Sequence, residues 1–270
     1  MTLGARMVSR VAIKLGGSLI TEKSSMKKFN HKAVEEVVDS LSSALDLGAS
    51  IVLVHGAGSF GHLLAKKWGI ADGLNIDHER EQRESVKEIR SDMRELNGLV
   101  MGKMKERGLQ CSSHPPSDWA TGTGANFSGD VSFFERGPNE PIPTTFGDVV
   151  ETDDGTGFGI LSGDDLMLRL STELEVTHCI FLIGDSDGIM TSPPGEKDSK
   201  LIPHFGPDTI ISGKHDSDID VTGGIGLKID RSLEIAKIVE EVWIIDGRKP
   251  DRVVDLLASG ETIGTKILSG

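Results

Sequence analysis

Cysteine, positive charge and long apolar stretches are all scarce in this sequence. The 270 residues include 2 cysteines, far apart and outside any Cys-x-x-Cys or Cys/His spacing, so neither a disulfide framework nor a zinc site is indicated. Acidic residues outnumber basic ones by 42 to 29, and the formal net charge is −13. Nucleic acids and anionic membranes attract clustered Lys and Arg, so we expect neither as a partner. No apolar run approaches the roughly 20 residues that span a bilayer, and we expect a cytoplasmic protein.

Short apolar runs rich in β-branched residues predict strands that are buried on both faces, as in a parallel sheet. These runs occupy residues 11–13, 51–54, 180–183 and 242–245. Helical patterns lie between them, at residues 33–45, 77–107, 164–174 and 229–239. Stretches rich in Pro, Gly and charge predict exposed loops at 137–143 and 192–199. The alternation predicts a layered α/β sheet, and the length suits one fold with two lobes.

Glycine is abundant, with 33 residues, and it clusters directly after predicted strands. Two clusters follow the first two strands: Lys14-Leu15-Gly16-Gly17-Ser18 and His55-Gly56-Ala57-Gly58-Ser59-Phe60-Gly61-His62. Glycine lets backbone N–H groups converge on an anion, and a following helix N-terminus adds a favourable dipole. Either turn alone is more typical of a tight connection between a strand and a helix, but the two together indicate a binding site for one polyphosphate. Neither has the spacing of a Walker A motif or of the Rossmann dinucleotide fingerprint.

Two later clusters also suit a nucleotide. Gly184-Asp185-Ser186-Asp187-Gly188 follows the strand at 180–183, at the carboxyl end where open α/β sheets bind ligands, although a plain turn explains it equally well. Asp220-Val221-Thr222-Gly223-Gly224 precedes a helical pattern, and Lys228 adds a cation near the start of that helix. The carboxyl edge of the predicted sheet therefore collects most of the chemically informative residues.

Taken in order, these motifs, with Gly147-Asp148-Val149-Val150 and Ser162-Gly163-Asp164-Asp165, resemble the amino acid kinase family nearly from end to end. The cluster that ends in His62 resembles the isopentenyl phosphate kinases of that family; acetylglutamate, aspartate and carbamate kinases are not expected to carry this histidine. The resemblance implies an open, mainly parallel αβα sandwich with one continuous sheet. Residues 1–172 would form an N-terminal lobe for the phosphate acceptor, and residues 173–270 a C-terminal lobe for ATP. It further implies a homodimer that transfers the γ-phosphoryl group directly and in line to a small phosphate, without a covalent enzyme intermediate.

The resemblance assigns catalytic roles to Lys14, Lys228, Asp164 and His62. The lysines would stabilise charge on the transferring phosphoryl group; an ammonium at the end of a buried strand is costly without an anionic partner, although Lys14 snorkelling to solvent is the alternative. Asp164 would orient both lysines, or else simply favour a helix dipole. His62 would donate an N–H to the acceptor phosphate, or else be an ordinary polar residue near a helix start. General-base catalysis by His62 is less expected, because a phosphate acceptor is already ionised and needs no deprotonation.

Further binding residues follow from the same resemblance. The acceptor side is predicted to comprise His62, Gly56, Ala57, Gly58, Gly61, Gly147 and Gly163. The ATP side is predicted to comprise Lys14, Gly16, Gly17, Ser18, Lys23, Asp185, Asp187, Gly188, Gly223, Gly224 and Lys228. Mg²⁺ is expected to be held mainly by the ATP phosphates, without protein metal ligands. Two other functions stay open: a kinase of another small phosphate or phosphonate, similar to a fosfomycin kinase, and a non-catalytic nucleotide or effector sensor on this fold.

Overall fold

The central element of the computed structural model, which describes residues 10–22, 25–194, 196–209 and 225–270, is an eight-stranded sheet. Its strands are β1 Arg10–Leu15, β2 Ser50–His55, β3 Cys111–Ser113, β4 Ile142–Phe146, β7 His178–Ile183, β8 His204–Phe205, β9 Glu241–Asp246 and β10 Thr265–Ile267. They stand in the order β3-β4-β2-β1-β7-β9-β10-β8, and neighbours are parallel except β9 and β10. A separate antiparallel hairpin pairs β5 (Asp148–Glu151) with β6 (Phe158–Leu161).

Helices cover both faces of the sheet. In the described ranges they are α1 Gly17–Ile20, α2 His31–Asp46, α3 Gly58–Lys67, α4 Glu79–Glu106, α5 Gly163–Glu173, α6 Ile225–Ala236 and α7 Asp251–Ser259. None of these helices combines the length and the apolar character needed to cross a bilayer. Successive side chains of β1 point to opposite faces, so Ile13 joins the core beneath α2, α4 and α7, and Ala12 joins the core beneath α5 and α6. This layering confirms the predicted open, mainly parallel αβα sandwich.

Most elements predicted from the sequence are present, and two boundaries were wrong. The four predicted strands correspond to β1, β2, β7 and β9, and α2 starts where the Asn30 side chain accepts a hydrogen bond from Ala33 N at 3.3 Å. Helix α6 ends at Ala236 although Val239 is still buried, so the apolar period continues past the helix. The loop predicted up to residue 143 ends earlier, because Pro143 lies inside β4. Pairing with strands on both sides of β4 overrides the turn preference of this proline.

The eight-stranded sheet runs continuously through both predicted lobes. Strands β1 to β4 precede residue 172, β7 to β10 follow it, and the pairing of β1 with β7 joins the two sets. Assignment of one set to the acceptor and the other to ATP stays a prediction. Because β1, β2, β4 and β7 are parallel, their carboxyl ends lie at the same edge of the sheet, where open α/β sheets bind ligands.

Candidate active site

Three buried charged side chains meet at the carboxyl edge of β1. The Lys14 ammonium lies 2.5 Å from Asp164 Oδ1, and the Lys228 ammonium lies 3.0 Å from the same oxygen. The exposed fractions of Lys14, Asp164 and Lys228 are 6%, 6% and 8%. A strand and the first turns of α5 and α6 supply one residue each. The structure therefore brings together three residues that are distant in sequence and that were predicted to act together.

The cluster has two cations and one anion, and its pKa values reflect this imbalance. The pKa of Lys14 is lowered to about 7, chiefly by burial; the Asp164 carboxylate opposes this shift, and the charge of Lys228 adds to it. Burial alone would raise the pKa of Asp164, but the two lysines hold it below its usual value, so the carboxyl group is ionised. Because a buried excess of positive charge is costly, this site is suited to an anion.

Two contacts that the sequence analysis missed hold Lys228 in place. Arg231, one turn later on α6, lies 2.7 Å from Asp165 Oδ1, so a second ion pair joins α6 to α5 beside the first. The Phe181 ring lies beneath the Lys228 ammonium, 5.2 Å from Nζ to the ring centroid, which is a favourable cation–π distance. Consecutive aspartates in α5 and the three-residue spacing of Lys228 and Arg231 are the sequence signals for the paired bridges.

The glycine turns after β1 and β2 pack directly against each other. A Cβ on Gly17 would lie 2.7 Å from Gly58 Cα, and a Cβ on Gly56 would lie 2.9 Å from Gly17 N. Gly58 also has φ +51°, a conformation that favours glycine. These positions require glycine because two backbones approach closely, and the approach places the predicted ATP turn beside the predicted acceptor turn.

Other predicted glycines surround the lysine cluster. A Cβ on Gly163 would lie 3.0 Å from Lys14 Cε, and a Cβ on Gly147 would lie 3.2 Å from Gly163 N. On the other side, a Cβ on Gly184 would lie 2.7 Å from Ser18 O, which places the turn after β7 against the start of α1. Gly16, the N-cap of α1, and Ala57, the N-cap of α3, both lack a side chain that could cap their helix. Gly163 and Gly147 thus lie on one side of Lys14 and the turn after β7 on the other, and their roles in binding stay predictions.

His62 lies on the exposed side of α3. Although the residue is exposed, the atoms around its ring lower the pKa of the imidazole by desolvation, and the charge of Lys14 lowers it further. His62 and Lys14 thus lie within electrostatic range of each other. His62 is therefore a neutral imidazole near neutral pH, with one N–H to donate.

His55 has a structural environment, in contrast to His62. Its ring is fully buried, stacks on Phe146 with centroids 5.1 Å apart, and lies 3.0 Å from Gly56 O and 3.3 Å from the Asn97 side chain. Burial lowers the pKa of His55 to about 4. The ring therefore supports the turn that contains Gly56.

Several residues predicted to bind substrates also contact other parts of the protein, and their binding roles stay predictions. A Cβ on Gly61 would face Met93 Sδ of α4 at 3.3 Å, so this glycine permits helix packing. Asp187 pairs with Arg252 at 2.8 Å and with Lys249 at 3.2 Å. Gly188 packs against Thr265, and Asp185 is exposed beyond the end of β7. Lys23, Gly223 and Gly224 lie outside the described residues.

In the part of the chain that the structure describes, no group of three or more His, Cys, Asp or Glu side chains is arranged to hold a metal ion.

Comparison with known proteins agrees with the motifs. The model of the amino acid kinase family matches residues 9–246. The isopentenyl phosphate kinase of Thermoplasma acidophilum is 31% identical, with 94% of this chain and 98% of that protein covered. The enzyme of the same name from Methanothermobacter thermautotrophicus is 30% identical, with 95% and 98% covered. A solved isopentenyl phosphate kinase structure superposes with a TM-score of 0.81 at 27% identity, with 96% of this chain and 99% of that chain covered.

The resemblance predicted from the motifs is confirmed, both to the family and to the isopentenyl phosphate kinases within it. The matched span runs through both halves of the sheet, and Lys14, His62, Asp164 and Lys228 lie within it. From sequence and fold together, this chain belongs to the amino acid kinase family.

Proposed function

We propose that this protein transfers the γ-phosphoryl group of ATP to isopentenyl phosphate and releases isopentenyl diphosphate and ADP. The observation that carries the proposal is the buried cluster in which Lys14 and Lys228 share the carboxylate of Asp164 beside two glycine turns. The name of the relatives at 30% and 31% identity supplies the acceptor. A phosphate acceptor also suits a site whose histidine is neutral, since the acceptor needs no base.

Lys14 and Lys228 supply the catalytic charge. Phosphoryl transfer spreads negative charge over the oxygens of the transferring group, so catalysis consists largely of positioning and charge stabilisation. Lys14 is the penultimate residue of β1, just before the first glycine turn, and Lys228 approaches from α6. Removing one preorganised donor from such a site costs roughly 2.7–4 kcal/mol of transition-state stabilisation. Asp164 holds the two like charges together and remains ionised throughout.

The His62 imidazole donates its N–H to a non-bridging oxygen of the acceptor phosphate, and an acceptor oxygen attacks as an anion. ATP is the donor, and Mg²⁺ held mainly by its phosphates and by water neutralises part of their charge. The glycine turns after β1 and β2 offer backbone N–H groups to the donor and acceptor phosphates. The proposed enzyme is a homodimer, as the resemblance implies, and acts in the cytoplasm, as the cysteine content of the sequence favours.

Steady-state ADP release with a panel of acceptors tests this function. The panel contains isopentenyl phosphate, acetylglutamate, carbamate, aspartate and fosfomycin. We expect kcat/KM to be highest for isopentenyl phosphate, and an equal or higher value for another acceptor refutes the assignment. Tight ATP binding without transfer to any acceptor would indicate a nucleotide sensor. Lys14→Met, which keeps the aliphatic stem and removes the charge, controls for contaminating kinases.

A further inference from the structure

Thr21, which follows α1 directly, connects the two glycine turns through its hydroxyl group. The side chain is buried, with 2% of the residue exposed. Oγ1 donates to Gly17 O at 2.8 Å and accepts from Ser59 N at 2.9 Å. A carbonyl oxygen only accepts and a backbone N–H only donates, so both bonds of this hydroxyl have a defined direction. One side chain thus satisfies groups in two segments that lie far apart in sequence.

The contact with Ser59 replaces a missing helix cap. The first amides of a helix have no intrahelical partner, and a side chain at the N-cap usually accepts from one of them. In α3 the N-cap is Ala57, which has no side-chain acceptor, and Thr21 supplies the acceptor from across the turn. A Cβ on Gly58 would overlap the Thr21 hydroxyl, so the glycine leaves the space that this contact needs.

The bridged segments are those that carry the candidate catalytic groups. Gly17 belongs to the turn that follows Lys14, and Ser59 lies one helical turn before His62. The backbone amides of Lys27 and Lys28 approach Ser59 O and Oγ at 3.3 Å each, so the chain after Thr21 also contacts this residue. The position of α3 relative to β1 therefore depends on contacts around Thr21 and Ser59.

We infer that Thr21 is a positioning residue, whose hydroxyl fixes the acceptor turn and His62 at the correct distance from the donor turn and Lys14. The inference rests on the proposed function, because it assigns one phosphate to each turn. Direct transfer requires the reacting groups to be held in a near-attack geometry, and a displacement of about 1 Å can cost about 100-fold in rate. Thr21 touches neither substrate and acts through the separation of the two turns.

Kinetic analysis of two Thr21 variants and a matched control tests the inference. Thr21→Val keeps the shape and removes both hydrogen bonds; kcat should fall roughly 10- to 100-fold. KM for ATP and for isopentenyl phosphate should change much less, because each turn stays intact. Thr21→Ser keeps the hydroxyl and should recover most of the lost kcat. Thr145→Val is the control, because the buried hydroxyl of Thr145 has no hydrogen-bond partner among the described residues.

Two further measurements separate positioning from general stability. In a His62→Ala background, Thr21→Val should cost less than in the wild type, because the two changes disturb the same alignment. Hydrogen exchange of the Ser59 amide reports the bond without substrate, and it should be slow in the wild type and in Thr21→Ser. A folded Thr21→Val with wild-type kcat overturns the inference. If Thr21→Val does not fold, a folded Thr21→Ser with a low kcat or an unprotected Ser59 amide overturns it. A wild-type protein that transfers nothing to isopentenyl phosphate contradicts the proposed function instead, and Ser59 exchange still tests the bond.

Discussion

Asp164→Asn removes the negative charge at the centre of the buried cluster and keeps the shape of the side chain. Lys14 and Lys228 then lose the carboxylate oxygen that they share at 2.5 and 3.0 Å. Removing one partner of a buried ion pair, while the other keeps its charge, lowers the free energy of unfolding by about 3–5 kcal/mol. The pKa of Lys14 is about 7 with Asp164 present, so without it the pKa falls lower and Lys14 releases its proton near neutral pH.

Loss of that proton removes a positive charge from the path of the phosphoryl group. We expect kcat near neutral pH to fall roughly 10²- to 10³-fold, which is the effect of losing one preorganised donor. The active form of Lys14 is protonated, so activity declines as the pH rises through its pKa. Because the variant has a lower Lys14 pKa, this decline moves to lower pH, and residual kcat should increase on acidification.

A pH series of kcat for each variant, with the melting temperature measured in parallel, tests both effects. Asp165→Asn is the matched control, because it breaks a 2.7 Å ion pair with Arg231 in the same helical turn and leaves both lysines paired. It should lower the melting temperature without shifting the pH dependence. A wild-type kcat in Asp164→Asn, or the same shift in both variants, would refute the reasoning.

Three further outcomes follow from the geometry. His62→Ala should impair turnover of isopentenyl phosphate far more than ATP binding measured by calorimetry, with partial recovery in His62→Asn; equal loss for both substrates would indicate a structural histidine. Gly17→Ala should lower both kcat and melting temperature because its Cβ would lie 2.7 Å from Gly58 Cα, whereas Gly98→Ala on α4 has open space and should not destabilise the protein. Above pH 7, ATP binding should be accompanied by uptake of a proton, because the ATP phosphates raise the lowered pKa of Lys14. A binding enthalpy that does not vary with the ionisation enthalpy of the buffer would contradict this expectation.

The fold could be predicted largely from local patterns. Short β-branched runs gave β1, β2, β7 and β9, and helical spacing gave α2 and most of α4, because these elements bury apolar side chains with a regular period. The boundaries of strands were harder to predict where pairing with distant strands determines them. Pro143 in β4 is the example, since its neighbours β2 and β3 come from distant parts of the chain.

The site could be predicted only in part. Motif order led to Lys14 and Asp164, but Thr21 carries no local signal, because its partner Ser59 lies 38 residues away. The spacing of Arg231 from Lys228 is a local signal, but it does not identify Asp165, which lies 66 residues away. The role of a glycine is hard to infer from sequence, since a ligand and a helix that approach the backbone closely require glycine equally. Gly17 and Gly61 belong to the two neighbouring glycine clusters, yet Gly17 packs against the opposite glycine turn and Gly61, within α3, packs against α4.

A single-turnover experiment with γ-labelled ATP tests the central claim most directly. Enzyme in excess over labelled ATP is mixed with isopentenyl phosphate, quenched at intervals, and separated into protein, nucleotide and prenyl fractions. The account predicts that label passes from ATP into isopentenyl diphosphate at a rate no slower than kcat, and that the protein fraction stays unlabelled. Label that accumulates on the protein, or that appears only as inorganic phosphate, would contradict direct transfer at the Lys14–Asp164–Lys228 cluster.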